Sequence, residues 1–355
     1  MAYTTIDDPS AYFQSKVYTG NDSDNSITNG GNSNLQADFI WIKRRDYNNA
    51  HVLLDSTKGV TKILQSNDPV AEVTLADRLD SFDSDGFTVT STSGAFNADG
   101  EPFIAWQWKA NGGSTSSVSA SGAMNAGTYQ ANTTAGFSVI TYTGEDNVND
   151  TVTHGLGAVP HLMLVKNRDN AADWAVYHHK NTSAPETDRL LLSTNAATVD
   201  DSTYWSDTVP TSSVFTVGTD IDTGDADAYT AYLWTEIQGY SKFGSYTGNG
   251  NADGTFIYTG FTPALVIMKN TADNTSWWMI DSARSTYNPS ILNLAADDPE
   301  EEGTGASMGI DILSNGFKQR STTTTTSNRD GHKYVYAAWA ENPFVTSGGI
   351  PATAS

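Results

Sequence analysis

Short runs of alternating apolar and polar residues recur along this chain, rich in aromatic and β-branched types, with Gly, Asn, Asp, Ser and Thr filling the intervals. A period of two is the mark of a strand with one buried face, and the intervals read as turns. Phe137-Ser138-Val139-Ile140-Thr141-Tyr142 is predicted as a strand that turns at Gly144. Asn249-Gly250 and Asp253-Gly254 bracket a tight loop before the strand Phe256-Ile257-Tyr258. Helix signals are few: the best is a short turn near Val73 to Leu79, and no long helix is predicted. The chain reads as all-β with antiparallel strands.

Three runs are apolar throughout and close on lysine: Phe39-Ile40-Trp41-Ile42-Lys43, Leu162-Met163-Leu164-Val165-Lys166 and Leu265-Val266-Ile267-Met268-Lys269. Continuous hydrophobicity points to a central strand covered on both faces, by a second sheet or by a neighbouring module. The lysine is expected to end the strand in solvent. Each run belongs to a larger repeat of roughly one hundred residues, the size of a domain. The repeat opens on Tyr18-Thr19-Gly20, Tyr142-Thr143-Gly144 and Tyr246-Thr247-Gly248. It continues through the apolar run to Asp85-Gly86-Phe87, Ser213-Val214-Phe215 and Asn315-Gly316-Phe317. It ends on strands closing at Trp108, Trp234 and Trp339, predicted core residues.

These landmarks divide the chain into a first module over residues 1–109, a second over 137–240 and a third over 241–344, with an extended tail at 345–355. Residues 110–136 are almost pure Asn, Gly, Ser, Thr and Ala and read as a flexible linker. Without such a linker between them, the second and third modules are expected to abut as a rigid pair hinged at Gly239 to Gly244.

Composition narrows the function classes. The 355 residues carry a formal charge of −22, which repels phosphate backbones and makes nucleic acid an improbable partner. Cysteine is absent, so neither disulfides nor thiolate metal sites are expected. The start of the chain lacks a basic and an apolar signal region, and no stretch reaches the length of a membrane span, so neither secretion by that route nor membrane insertion is expected.

Several motifs together resemble an uncharacterised family of marine bacteriophage virion structural proteins with repeated modules. They are Met1-Ala2-Tyr3-Thr4-Thr5-Ile6-Asp7-Asp8-Pro9-Ser10, Asp80 to Phe87, Ala105-Trp106-Gln107-Trp108-Lys109-Ala110-Asn111-Gly112-Gly113, Lys242 to Gly250 and Ala340-Glu341-Asn342-Pro343-Phe344. The resemblance covers essentially the whole chain. It implies three tandem antiparallel β-sandwich modules of the concanavalin- or laminin-G-like jelly-roll type, on a virion surface and among other virion proteins. It names no active residue.

The chemistry-bearing residues point the same way. No nucleophile elbow or phosphate-binding loop is present. His178 and His179 are adjacent and should face opposite ways in a strand, whereas His154 and His161 flank a Gly155-Leu156-Gly157 turn and are placed to approach across a hairpin. Calcium is the one cofactor that the resemblance and the sequence suggest, because concanavalin-like sandwiches often carry it and Asp220, Asp222, Asp225 and Asp227 alternate in one loop. For a glycan or protein partner the expected contacts are exposed aromatics: Trp277 and Trp278, consecutive in a strand, and Trp205 in a polar loop. The expected function is non-enzymatic: a tail-fibre or tail-appendage protein contributing to host-surface attachment, working as a homo-oligomer. A head decoration or capsid-fibre protein is the first alternative, and a glycan-cleaving tail enzyme the second.

Overall fold

A computed structural model describes residues 2–90, 92–305, 308–321 and 326–352; Met1 of the N-terminal motif and the last three residues of the tail fall outside these. The chain is all-β, 42% strand against 3% helix, in antiparallel sheets. The first segment supplies β1 (Phe13–Thr19), β2 (Asn25–Thr28), β3 (Phe39–Arg44), β4 (Val52–Asp55), β5 (Lys62–Ile63), β6 (Val73–Thr74), β7 (Leu79–Asp83), β8 (Gly86–Val89) and β9 (Pro102–Trp108). The second supplies β10 (Ser116–Val118), β11 (Gly127–Asn132), β12 (Phe137–Thr143), β13 (Asp150–Thr153), β14 (Leu162–Asn167), β15 (Trp174–His178), β16 (Asp188–Leu191), β17 (Val199–Asp200), β18 (Val214–Val217) and β19 (Ala228–Trp234). The third supplies β20 (Ser241–Thr247), β21 (Phe256–Tyr258), β22 (Phe261–Asn270), β23 (Trp278–Asp281), β24 (Leu294–Ala295), β25 (Ile310–Leu313), β26 (Gly316–Gln319) and β27 (Lys333–Pro343).

One pairing scheme occurs in all three segments. The Tyr-Thr-Gly strand lies beside the closing tryptophan strand, which lies beside the apolar run: β1-β9-β3-β4, β12-β19-β14-β15 and β20-β27-β22-β23. The strand after the triplet pairs instead with the phenylalanine strand, as β2-β8, β13-β18 and β21-β26. The triplet itself has a structural reason. Tyr18, Tyr142 and Tyr246 donate their hydroxyls to the carbonyls of Phe96, Thr223 and Ser327, which pins the loop before each closing strand. A Cβ on Gly20, Gly144 or Gly248 would stand 2.1, 2.2 and 2.3 Å from the carbonyl oxygens of Ala98, Asp225 and Arg329, so only glycine fits there.

The segments are not strung apart. Trp108, Trp234 and Trp339 meet in a triangle with ring centroids 5.9, 5.2 and 5.6 Å apart. A continuous hydrophobic core runs around them through all three segments. The contacts between segments are cyclic. The amides of Glu302, Glu72 and Thr198 donate to the carbonyls of Arg45, Arg168 and Thr271, each two residues beyond the lysine of an apolar run. At two of these junctions a bidentate ion pair is added, Arg45 with Glu302 and Arg168 with Glu72. Deeper in, the Tyr232 hydroxyl donates to Asp55, the Trp106 indole to Asp281, and His178 Nε2 bonds the Tyr336 carbonyl. The first segment thus touches the third, the third the second and the second the first, a head-to-tail contact that closes after three steps.

Several expectations change accordingly. Residues 110–136 are not a slack linker: β11 pairs with β12 along its full length and extends the second segment's sheet. The second and third segments abut, but the first is docked as closely, so no rigid pair stands apart. Val73–Thr74 is strand, and the one α-helix among the described residues, α1, is Ser202–Trp205, capped by Asp201, beside two single turns of 3-10 helix at Pro9–Ala11 and Pro185–Thr187. The tail folds back through a turn, with Val345 bridged to Pro351 and Ser347 bonded to Asp7. The three lysines do not end in solvent, because the turn after each apolar run folds over the ammonium: Lys43, Lys166 and Lys269 are fully buried.

Candidate functional site

The buried lysines are the first place to look for chemistry, since a desolvated ammonium loses its proton easily. Burial pulls each of them from 10.5 to about 8. Their partners are carbonyl oxygens, however. Lys43 Nζ bonds the carbonyls of Arg44 and Tyr47, Lys166 those of Pro69 and Ala172, and Lys269 those of Asn195, Asp273 and Thr275. Pro69 belongs to the first segment and Asn195 to the second, so Lys166 and Lys269 tie neighbours together. Lys43 stays within its own segment, and all three enclosed ammonium groups are committed to backbone carbonyls.

The histidines are also bound into the fold. His154 accepts from the Leu156 amide and bonds the Thr211 carbonyl, so it does not meet His161 across the turn. His161 instead lies 4.3 Å from His179, centroid to centroid. His161 Nδ1 accepts the Glu236 amide, which leaves the proton of the neutral ring on Nε2. His179 Nε2 donates to the Phe243 carbonyl at 2.6 Å, and Glu236 accepts the Phe243 amide at 3.0 Å and pairs with Lys242. Burial depresses His178 to about 3 and His179 to about 4. Of these neutral rings, His178 and His179 secure the junction of the second and third segments.

In the acidic loop, Asp220 accepts the Asp222 amide, Asp225 the Ala226 amide, and Asp227 both Asn167 and Asn170 side chains. Asp222 is buried, which raises it to about 6, and accepts from the Tyr204 hydroxyl and the Asp173 amide. The four carboxylates thus brace this loop, and among the described residues no cluster of three or more His, Cys, Asp or Glu is arranged to hold a metal ion.

The tryptophans expected on the surface are inside. Trp205 is 1% exposed, with its indole donating to the Asp188 carbonyl, and Trp277 is 4% exposed, with its indole on the Leu191 carbonyl. Their loop and strand close over core, so neither offers a face to a ligand. Trp278 is half-buried against the same core.

Among the described residues the exposed aromatics are Tyr47 of the first segment, 59% exposed, and Phe256, Tyr258 and Tyr287 of the third. β21 turns Ile257 inward against Phe317 and leaves Phe256 and Tyr258 outward, 44% and 51% exposed. Tyr287, 85% exposed, follows a turn whose next residue, Asn288, bonds the backbone of Ile312 in β25 of the same sheet. Ser26 and Thr28 occupy the same places on β2, as do Thr151 and Thr153 on β13. Two flat apolar rings on one strand face, beside Lys318 opposite Phe256, form a contact surface that only the third segment carries. The alternation Phe256-Ile257-Tyr258 carries this signal in the sequence, although it holds no tryptophan.

No curated protein and no solved structure matches the chain. Residues 8–343 match a family described as a domain of unknown function, DUF7483, and the match takes in all three segments together. The chain therefore belongs to the DUF7483 family.

Proposed function

We propose that this chain is a non-enzymatic structural protein of a phage virion surface, a tail-fibre or tail-appendage component that contributes to host attachment. In this reading each segment is one β-sandwich module, and the three modules form a ring that acts as a single rigid head. The observation that carries it is the division of labour among the polar and aromatic side chains. Lys166, Lys269, His178 and His179 hold the ring and the acidic loop braces its own segment, while three of the four exposed aromatics among the described residues gather on the third segment. Weak contacts from such a face sum when several copies sit on one particle. A single family match spanning all three segments agrees with a head that works as one unit.

The test is to label the protein on intact virions and to measure binding of the purified protein to host cells. Tail labelling, with binding lost in a Phe256→Ser, Tyr258→Ser variant of unchanged melting temperature, is the expected result. Labelling spread over the head would replace this reading with a decoration role. New reducing ends after incubation with host polysaccharide would replace it with an enzymatic one.

A further inference from the structure

The three segments differ at one equivalent place, the outer edge of the Tyr-Thr-Gly strand. Backbone bonds from Lys109 to Tyr12 and from Gly20 to Glu101 fix the ladder between β1 and β9. In an antiparallel pair such bonded positions alternate with positions whose N–H and C=O point away, so Ser15 and Val17 offer theirs to the open side. Ser15 stands opposite Trp106, as Val139 stands opposite Tyr232 and Phe243 opposite Ala337. These three positions are equivalent, and their outer partners are not.

Val139 is covered by a strand, for it pairs with Gln130 of β11. Phe243 is covered by side chains, its amide by Glu236 and its carbonyl by His179. Ser15 is open, and its hydroxyl oxygen, screened from solvent, has no hydrogen-bond partner. Beside it lies a cleft of about 300 Å³, walled by Phe13 to Lys16 on one side and by Ala264, Ser282 and Ala283 of the third segment on the other.

The second segment shows what fits such a cleft. There the Gln130 side chain reaches across the junction to the hydroxyls of Ser56 and Thr57, at 2.8 and 2.6 Å, and accepts from the amides of Asn111 and Gly113. Ser56 and Thr57 follow Asp55 just as Ser282 and Ala283 follow Asp281, and the two aspartates hold the same register against Phe39 and Leu265. The cleft beside Ser15 is therefore the counterpart of the place that β11 fills.

We infer that β1 is a docking edge that takes an extended segment of another polypeptide as an added antiparallel strand. A glutamine-like side chain opposite Ser15 would reach Ser282. Main-chain bonds to Ser15 and Val17 supply affinity in this mode, and the cleft supplies selection. A second copy of this chain is the poorer occupant. Its charge of −22 repels a copy of the same charge. The inference stands apart from the virion reading, since it rests on the junctions alone.

The probe is a synthetic peptide of the sequence Ala126 to Thr133, titrated against the full chain by fluorescence anisotropy, with a scrambled peptide as control. Binding at one peptide per chain is expected, together with amide exchange at Ser15 and Val17 slowed at least tenfold. Ser15→Pro removes only an outward N–H, which an edge strand tolerates, and Ser282→Phe fills the cleft from the far wall. Each should weaken binding at least tenfold. The inference is overturned if the peptide binds no better than its scramble, or if neither variant weakens it. Concentration-dependent protection of the Ser15 and Val17 amides without peptide would also overturn it, by making a second copy the occupant.

Discussion

Replacing Lys166 with methionine separates the two forces acting on a buried ammonium. An unfolded lysine keeps its proton up to about 10.5, whereas burial brings Lys166 down to about 8. Between those values the unfolded chain binds the extra proton, so stability rises with pH through the window. The contribution is full above pH 10.5 and is lost as pH falls to about 8. Over about 2.5 pH units, at about 1.4 kcal/mol per unit, the change amounts to about 3 kcal/mol. Methionine removes that cost, but it also strips a donor from the carbonyls of Pro69 and Ala172. The Pro69 carbonyl keeps the Ala172 amide, so one carbonyl is orphaned at about 1–3 kcal/mol, and the two terms come close to offsetting at pH 7. Urea unfolding of the two proteins from pH 7 to 10.5 is the assay, and Lys43, Lys269 and the tyrosines cancel in the difference. The wild type should gain about 3 kcal/mol on Lys166→Met between pH 8 and 10.5. Parallel curves would refute the reasoning, since they would mean that the carbonyls hold the proton against desolvation.

Trp339→Ala removes one corner of the tryptophan triangle, and with it two of the three ring contacts, and should cost about 3–5 kcal/mol, read as a fall in urea midpoint. Gly144→Ala brings a Cβ within 2.2 Å of the Asp225 carbonyl, so the turn must shift, and a drop in melting temperature well beyond that of Gly94→Ala, whose Cβ meets nothing nearer than the Arg44 side chain at 3.8 Å, is expected. The third junction lacks the ion pair of the other two, and Thr198→Glu with Thr271→Arg should add it, raising stability by up to about 1 kcal/mol at low salt and by less at high salt. His178 is pulled from 6.5 to about 3, so unfolding takes up a proton across that range and stability falls as pH drops. His178→Gln should flatten the slope by up to about 1.4 kcal/mol per pH unit in acid unfolding curves.

Much of this architecture was legible beforehand, because the positions that recur are those where geometry leaves no choice. The triplet glycine meets a carbonyl at the same distance three times, and its tyrosine reaches the same loop carbonyl three times. The closing tryptophans were readable as core, though not as each other's neighbours. Surface and interior were harder to tell apart. A lysine after four apolar residues reads as a strand end in water, and only the turn folded over it reveals carbonyls waiting for an ammonium. Trp205 and Trp277 sit among polar residues in the sequence, yet both lie under neighbouring elements.

The sequence alone determined the strands, the repeat and the all-β class, since these follow from local periodicity and from backbone sterics. Tertiary structure alone decided that the segments close into a ring, that residues 110–136 add a strand at one junction, and that the edge at Ser15 stays open. The strand itself is a local hairpin with β12, but ring closure and the reach of Gln130 to Ser56 depend on contacts between residues some seventy or more positions apart. No local pattern encodes such distances, because each surface is defined only by the partner that covers it.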